Sequence, residues 1–113
     1  MSDADHAWSA QIEPPFVADV RGEVGQKYDK DKPRYDLIPL KALEQTVGVL
    51  TYGAKKYAPE NWRRVEGWRR RYFGAALRHL FAWWGGEKTD PESGHPHMAH
   101  ALCCLMFIAE LDQ

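Results

Sequence analysis

The segment from Arg78 to His100 places acids, histidines and basic residues between two apolar stretches. A plain connection between helices needs only a turn and a cap, so this many ionisable groups indicates a site. Clustered carboxylate oxygens suit Mg²⁺ or Mn²⁺, and imidazole joins them for Mn²⁺ or softer ions, although spacing alone does not choose the metal. We therefore predict a metal site formed by Glu87, Asp90, Glu92, His97 and His100.

His97 and His100 are three residues apart, so on a helix they share one face with apolar neighbours. Two imidazoles that face a largely apolar interface either bind something or pair with acids. The acids also have a purely structural interpretation, because Ser93 can cap the following helix while the carboxylates favour its positive end. The pattern leaves both interpretations open.

Basic and aromatic residues form a second group of candidates. Arg78 is the strongest of them, because guanidinium binds phosphate oxygens in a bidentate manner. Tyr57 and Trp62 can stack on a base, although aromatic residues more often belong to a core. Lysines at the end of a helix are commonly partners of its dipole, and charged runs are usually solvated. Together these residue types predict a nucleotide-phosphate site that comprises Lys32, Arg34, Lys56, Tyr57, Asn61, Trp62, Arg78 and His79.

Three stretches predict the helices that position these residues. The first helix is predicted from Pro39, which suits a first helical turn, to about Pro59, with apolar residues every three or four positions. The second is predicted over residues 68–84, with two glycines as its stop signal. The third, residues 96–111, is apolar almost all round, which favours burial with the help of another subunit.

Length and composition predict a single small all-α domain. The 113 residues show no strand-like alternation and no repeat, so we expect about three core helices in residues 28–113 and a flexible arm in residues 1–27. Five Trp, five Tyr and four Phe favour a bundle that is completed by oligomerisation. The net charge of -1 makes duplex nucleic acid and anionic membranes poor partners.

The cysteines and the N-terminus indicate the compartment. Cys103 and Cys104 are neighbours on a predicted helix, where such side chains seldom bridge, so reduced thiols in the cytoplasm are expected. No apolar run of about 18 residues is present, and residues 1–11 lack the pattern of an export signal. We expect neither a membrane anchor nor secretion.

Short motifs in a fixed order over residues 27–111 carry a resemblance to a known family. They are K-P-R-Y-D-L-I-P (32–39), Y-G-A-K-K-Y (52–57), N-W (61–62), R-H-L (78–80), G-E (86–87), D-P-E-S-G (90–94) and H-M-A-H (97–100). With them the chain resembles the phage and prophage family described as dATP/dGTP diphosphohydrolase, N-terminal domain. That family is similar to the MazG-type all-α nucleotide pyrophosphohydrolases.

The resemblance implies a MazG-like helical bundle that assembles as a dimer, a tetramer or a higher oligomer. It implies hydrolysis of a purine deoxynucleoside triphosphate to the monophosphate and pyrophosphate, with Mg²⁺ or Mn²⁺ as the cofactor, in the cytoplasm of a phage host. The chemistry is the attack of water on a phosphoryl group held by metal ions.

The helices differ from the MazG pattern, which holds its metals with the carboxylate pairs E-x-x-E and E-x-x-D on facing helices. This chain has Arg78 and His79 on its second predicted helix and His97 and His100 on its third. A pocket of arginine and histidine can bind phosphate directly, without a metal.

Three hypotheses follow. The chain is a metal-dependent hydrolase, or a non-catalytic, metal-independent oligomeric protein that sequesters a nucleotide or a cyclic-nucleotide immune signal as an anti-defence function. The third hypothesis is a structural subunit whose charged hairpin only caps and solvates its helices.

Overall fold

The computed structural model describes residues 24–113, and their regular structure is helical. The α-helices are α1, Leu40–Lys56; α2, Trp68–Trp84; and α3, His97–Leu111. No strand forms in this part of the chain, where Thr89 and Pro96 make only an isolated antiparallel bridge. The predicted all-α class with three helices is confirmed, and α2 has its predicted bounds. None of the described helices is long and apolar enough to cross a bilayer.

The chain divides between Lys41 and Ala42 into two compact units. The described part of the first unit includes a 3-10 turn at Tyr35–Leu37. Of the predicted arm, residues 1–23 lie outside the described residues. Residues 24–27 are exposed and have no regular structure. Helices α2 and α3 belong entirely to the second unit.

Local sequence explains where α1 and α2 end. Lys55 and Lys56 occupy the last turn of α1, where cations interact favourably with the helix dipole. At the end of α2 the Gly86 N–H donates to the Trp83 carbonyl at 3.0 Å, and Gly86 has a φ of 106°. Only glycine adopts that conformation readily, so the predicted glycine stop is formed.

Helices α2 and α3 are the most closely packed helix pair, and each carries a nearly fully buried alanine. Ala76 of α2 and Ala101 of α3 are 2% and 1% exposed. Their size lets the two helix backbones approach, because the distance between packed helices depends on the side chains at the contact. Helix α1 joins the pair through Val49, which packs with Ala99 and Cys103 of α3.

Both cysteines are buried and unbridged. Burial raises the pKa of the Cys103 thiol to about 12 and also raises the pKa of Cys104. The Cys103 thiol donates to the Thr46 carbonyl at 3.4 Å. Because the thiolate is the reactive form, these side chains contribute packing and not chemistry.

A stripe of large apolar side chains on α2 is exposed. Phe73, Phe81 and Trp84 are 56%, 68% and 81% exposed, and the partly buried Leu77 lies among them at helical spacing. The core is correspondingly small, since no large side chain among residues 24–113 is fully buried. An exposed apolar face of this kind is typical of an interaction surface.

Replacing Val49 by alanine should lower the free energy of unfolding by roughly 1.5–3 kcal/mol, because two methyl groups leave a buried contact and a cavity remains. Val47 is the matched control, since it lies on the same helix and is 48% exposed where Val49 is 8% exposed. The V47A change should stay within about 0.5 kcal/mol, because alanine also favours the helix. Urea unfolding measures both variants, and equal losses would show that Val49 is not a core residue.

Candidate functional site

The second unit contains a cleft of about 1230 Å³ between its three helices and the loop that precedes α3. Predicted site residues from separate stretches of the sequence meet around it. They are Lys56, Tyr57, Asn61, Trp62, Arg78, His79, Glu87, Asp90, Glu92, His97 and His100. The structure thus brings all of the predicted site residues except Lys32 and Arg34 to one cleft.

Lys32 and Arg34 belong to the first unit. The Arg34 guanidinium donates to both carboxylate oxygens of Asp36, at 2.7 and 3.3 Å, and both side chains are exposed. This hydrogen-bonded pair raises the pKa of Arg34 and lowers the pKa of Asp36. A role for Lys32 and Arg34 in phosphate binding stays a prediction, and a phosphate at Arg34 would replace Asp36.

His79, Asp90 and His100 form a compact group of potential metal ligands. The imidazole rings of His79 and His100 stack with their centroids 4.5 Å apart and their planes 7° apart. Asp90 Oδ2 lies 3.4 Å from His100 Nε2, and one donor atom of each residue lies within 4.8 Å of the other two. The sequence predicts Asp90 and His100 as ligands, whereas it assigns His79 to phosphate.

Burial sets the protonation state of this cluster. It lowers the pKa of His79 to about 4, and neighbouring positive charges act in the same direction. Burial also lowers the pKa of His100, although Asp90 opposes the shift. Burial acts to raise the pKa of Asp90, but hydrogen bonds from the Glu92 N–H and the Ser93 hydroxyl outweigh it, so the pKa is lowered. At neutral pH the cluster holds two neutral imidazoles and one carboxylate, the forms that bind metals.

His97 links Glu87 to His79. Its Nε2 lies 2.6 Å from Glu87 Oε1, and its Nδ1 lies 2.8 Å from His79 Nδ1. His97 is 5% exposed, so these contacts are the main polar partners of its ring. The sequence predicts Glu87 and His97 as metal ligands, but both ring nitrogens of His97 are occupied by these contacts. In this arrangement the two residues support His79.

Ser93 ties the loop before α3 to the cluster. Its hydroxyl donates to Asp90 Oδ2 at 3.2 Å, lies 2.6 Å from His100 Nε2 and accepts from the His95 N–H at 3.1 Å. The alternative that Ser93 caps α3 is wrong, because Pro96 is the N-cap residue and no side chain caps the helix there. The sequence carries no local signal for the contact between Ser93 and His100, which depends on the path of the loop.

Lys56 and Arg78 bring positive charge to the cleft. Lys56 Nζ lies 3.0 Å from Glu92 Oε1 and 5.9 and 5.3 Å from the ring centroids of Tyr52 and Tyr57. The hydrogen bond to Glu92 raises the pKa of Lys56. Glu92, a predicted metal ligand, is therefore paired with a cation. Arg78 is exposed and makes no ion pair with the described part of the chain.

Trp62 and Tyr57 differ in the ring faces that they leave open. The Trp62 ring stacks on Phe107 with centroids 4.5 Å apart, and the Arg63 guanidinium carbon lies 4.2 Å from the Trp62 centroid. Two groups at these distances need opposite faces, so Trp62 has none left for a base. Tyr57 is 65% exposed at the edge of the cleft. Asn61 lines the cleft beside them as the first residue of a 3-10 turn.

The lowered pKa of His79 predicts that acid destabilises the metal-free protein. Between pH 6.5 and about 4 the unfolded chain binds a proton at this imidazole and the folded chain does not, so stability falls as pH falls through that window. Urea unfolding with a chelator, at fixed protein concentration, should show this slope, and His79→Gln should reduce it. His95→Gln is the matched control, and an equal reduction there would contradict the assignment.

Comparisons with known proteins identify the family of the chain. The family described as dATP/dGTP diphosphohydrolase, N-terminal, matches residues 22–113. A protein named dATP/dGTP diphosphohydrolase from Salmonella phage PMBT28 is 34% identical over 84 residues, which cover 74% of this chain and 28% of that protein. The match thus spans less than a third of that relative's length, and no solved structure matches the chain. With the family match over most of its length, this chain belongs to the dATP/dGTP diphosphohydrolase N-terminal family.

Proposed function

We propose that this chain binds a purine deoxynucleoside triphosphate in the cleft and takes part in its hydrolysis to the monophosphate and pyrophosphate. The observation that carries the proposal is the convergence of cations, acids and histidines on one cleft in a chain of this family. The name of the phage relative supports the same substrate class and reaction. The cleft volume of about 1230 Å³ gives ample room for a nucleotide.

The triphosphate would lie against Arg78 and Lys56. Arg78 is exposed and borders the cleft, and its guanidinium matches two phosphate oxygens at once. Lys56 is held by Glu92, but both side chains are largely exposed, with 40% and 71% of their surface accessible. Exposed ion pairs of this kind contribute only about 0–1 kcal/mol, so a triphosphate can displace Glu92.

The base would stack on Tyr57, the accessible aromatic ring at the cleft edge. Stacking of a base on an aromatic side chain contributes roughly 1–3 kcal/mol and tolerates different bases. Trp62, whose two faces are taken by Phe107 and Arg63, would shape this wall without stacking on the base. Asn61 offers an amide next to the same wall, where it can donate to or accept from a base.

Hydrolysis also needs charge neutralisation at the phosphoryl group that water attacks. A divalent ion, when bound, supplies this as a Lewis acid. Mg²⁺ prefers oxygen ligands in octahedral geometry, and of the carboxylates at the cleft only Asp90 belongs to the ligand cluster. The residues that would hold an ion are therefore His79, Asp90 and His100, a donor set that suits a softer divalent ion better than Mg²⁺.

Arg78→Gln should weaken the binding of dATP and dGTP on the order of 10- to 100-fold, since a charged hydrogen bond to phosphate contributes about 1.5–3 kcal/mol. Arg69→Gln is the matched control, because Arg69 is exposed on the same helix and does not line the cleft. Calorimetry measures binding, and chromatography of the products measures pyrophosphate. Equal nucleotide affinities in the two variants would contradict a role of Arg78 in nucleotide binding. If the protein retained intact nucleotide and released no pyrophosphate, the result would contradict hydrolysis and favour the hypothesis that the chain sequesters the nucleotide.

We also propose that a second copy of this chain covers the apolar stripe on α2. At roughly 150–250 Å² for an aromatic side chain, the exposed fractions of Phe73, Phe81 and Trp84 leave about 300–500 Å² of aromatic surface in water. That area equals the largest apolar patch of a typical monomer and about half of one side of a standard interface. Leu105 and Met106 of α3 are also about half exposed.

The double variant Phe73→Ser, Trp84→Ser should therefore change the oligomeric state. Light scattering should give the unmodified chain a molar mass that is a multiple of 13.0 kDa, and the double variant a molar mass near 13.0 kDa. Leu43→Ser, Val47→Ser is the matched control, because these α1 residues are 40% and 48% exposed. A monomeric unmodified chain, or equal dissociation in both variants, would contradict the assignment of this surface.

A further inference from the structure

We propose that His79, Asp90 and His100 form a binding site for one transition-metal ion of the Mn²⁺, Fe²⁺, Co²⁺ and Zn²⁺ class, and that Glu87 and His97 position His79 for it. The use of the ion in phosphate chemistry rests on the proposed function, whereas its binding stands on the geometry alone. The site differs from the five-residue metal site that the sequence predicts, because His79 enters it while Glu87, Glu92 and His97 do not.

The distances allow a shared ion. One donor atom from each ligand lies within 4.8 Å of the other two. Metal–nitrogen and metal–oxygen bonds are about 2.0–2.2 Å, so two ligands of one ion lie roughly 3–4 Å apart. Side-chain shifts of about 1 Å bring the donor atoms to this spacing. The Ser93 hydroxyl, which lies 2.6 Å from His100 Nε2, must also turn away before that nitrogen can bind an ion. The His79 and His100 rings are stacked nearly parallel, with Asp90 adjacent. Because an imidazole binds a metal in its own ring plane, the two rings must also tilt toward each other to share the ion.

The donor types select the class of ion. Two imidazoles and one carboxylate match the sites of Fe²⁺, Zn²⁺ and related ions, whereas Mg²⁺ and Ca²⁺ prefer oxygen ligands throughout. Three protein ligands also leave coordination positions open for water or a phosphate oxygen. The site opens on the cleft, since all three side chains line it.

The hydrogen bonds around His97 determine which nitrogen of His79 is available. The Glu87 carboxylate only accepts, so a neutral His97 carries its proton on Nε2 and donates to Oε1 at 2.6 Å. Nδ1 of His97 then accepts, and His79 Nδ1 donates to it across 2.8 Å. His79 Nε2 is left without a proton and can bind an ion.

This arrangement resembles the carboxylate–histidine–metal triads of known metal sites, lengthened by one imidazole. In such triads the outer carboxylate fixes the tautomer and the orientation of the ligand ring. His97 is 5% exposed, so its ring is held in place between Glu87 and His79. Glu87 and His97 are therefore positioning residues that act through His79.

Calorimetric titration of the full, chelator-treated chain with Mn²⁺, Co²⁺, Zn²⁺ and Mg²⁺ tests the site. We expect one ion per chain, with Mg²⁺ more than about tenfold weaker, and with Co²⁺ giving a visible absorption band. Asp90→Asn and His100→Asn should abolish binding, while His95→Asn, a matched histidine beside the cluster, should retain it. The proposal would be overturned if Mn²⁺, Co²⁺ and Zn²⁺ all failed to bind, or if the His95 variant lost as much ion binding as the Asp90 and His100 variants.

A second series tests the positioning residues. Glu87→Ala should weaken Co²⁺ binding about 10- to 100-fold, the usual effect of losing an outer partner, and Glu87→Gln should restore it because its carbonyl oxygen still accepts. Circular dichroism with a chelator confirms that each variant is folded. Equal loss in both Glu87 variants would overturn the tautomer argument.

The two proposals fail separately. A chain that binds the ion but releases no pyrophosphate keeps this site and overturns the proposed hydrolysis. Pyrophosphate release that persists in an Asp90→Asn variant that no longer binds the ion overturns the use of the ion in hydrolysis, and keeps both the ion site and the proposed hydrolysis.

Discussion

The close packing of α2 against α3 is the constraint on which the site depends. Imidazoles on two helices meet only when the helices are close, and Ala76 and Ala101 keep the side chains at that contact small. His79 then contacts His97 at 2.8 Å and stacks on His100 at 4.5 Å. The cluster is therefore a product of helix packing as much as of the loop that carries its acids.

The same packing confines several polar groups, yet each has a partner. Among the described residues no buried side-chain nitrogen or oxygen lacks a hydrogen bond. An unsatisfied buried group would cost about 1–3 kcal/mol, so the contacts of His97 and Ser93 offset the burial of the cluster. His97 pairs with Glu87 and His100 with Asp90, which is the alternative that the sequence offers beside ligand binding.

The helices can be predicted from the sequence because their signals are local. The side-chain contacts of the site residues cannot, because they depend on the tertiary structure. Apolar spacing predicts α1, and the glycines after Trp84 predict the end of α2. Residue types also predict many of the side chains that line the cleft, although the predicted Lys32 and Arg34 belong to the first unit. The ion pair between Lys56 and Glu92 connects residues that are 36 positions apart, so no local sequence pattern predicts it. His79 lies one position, or about 100°, further round α2 than Arg78, which turns it inward while Arg78 stays exposed.

Helix α2 separates two surfaces with different properties. Ala75 and Ala82 line the cleft, whereas Phe73, Leu77 and Trp84 lie about half a turn away on the other side. A partner that covers the aromatic side therefore leaves the cleft open to a ligand. Because one helix carries both surfaces, any coupling between assembly and ligand binding must act through the position of α2 itself. A shift of α2 relative to α3 would alter the His79 contacts first, since these cross between the two helices.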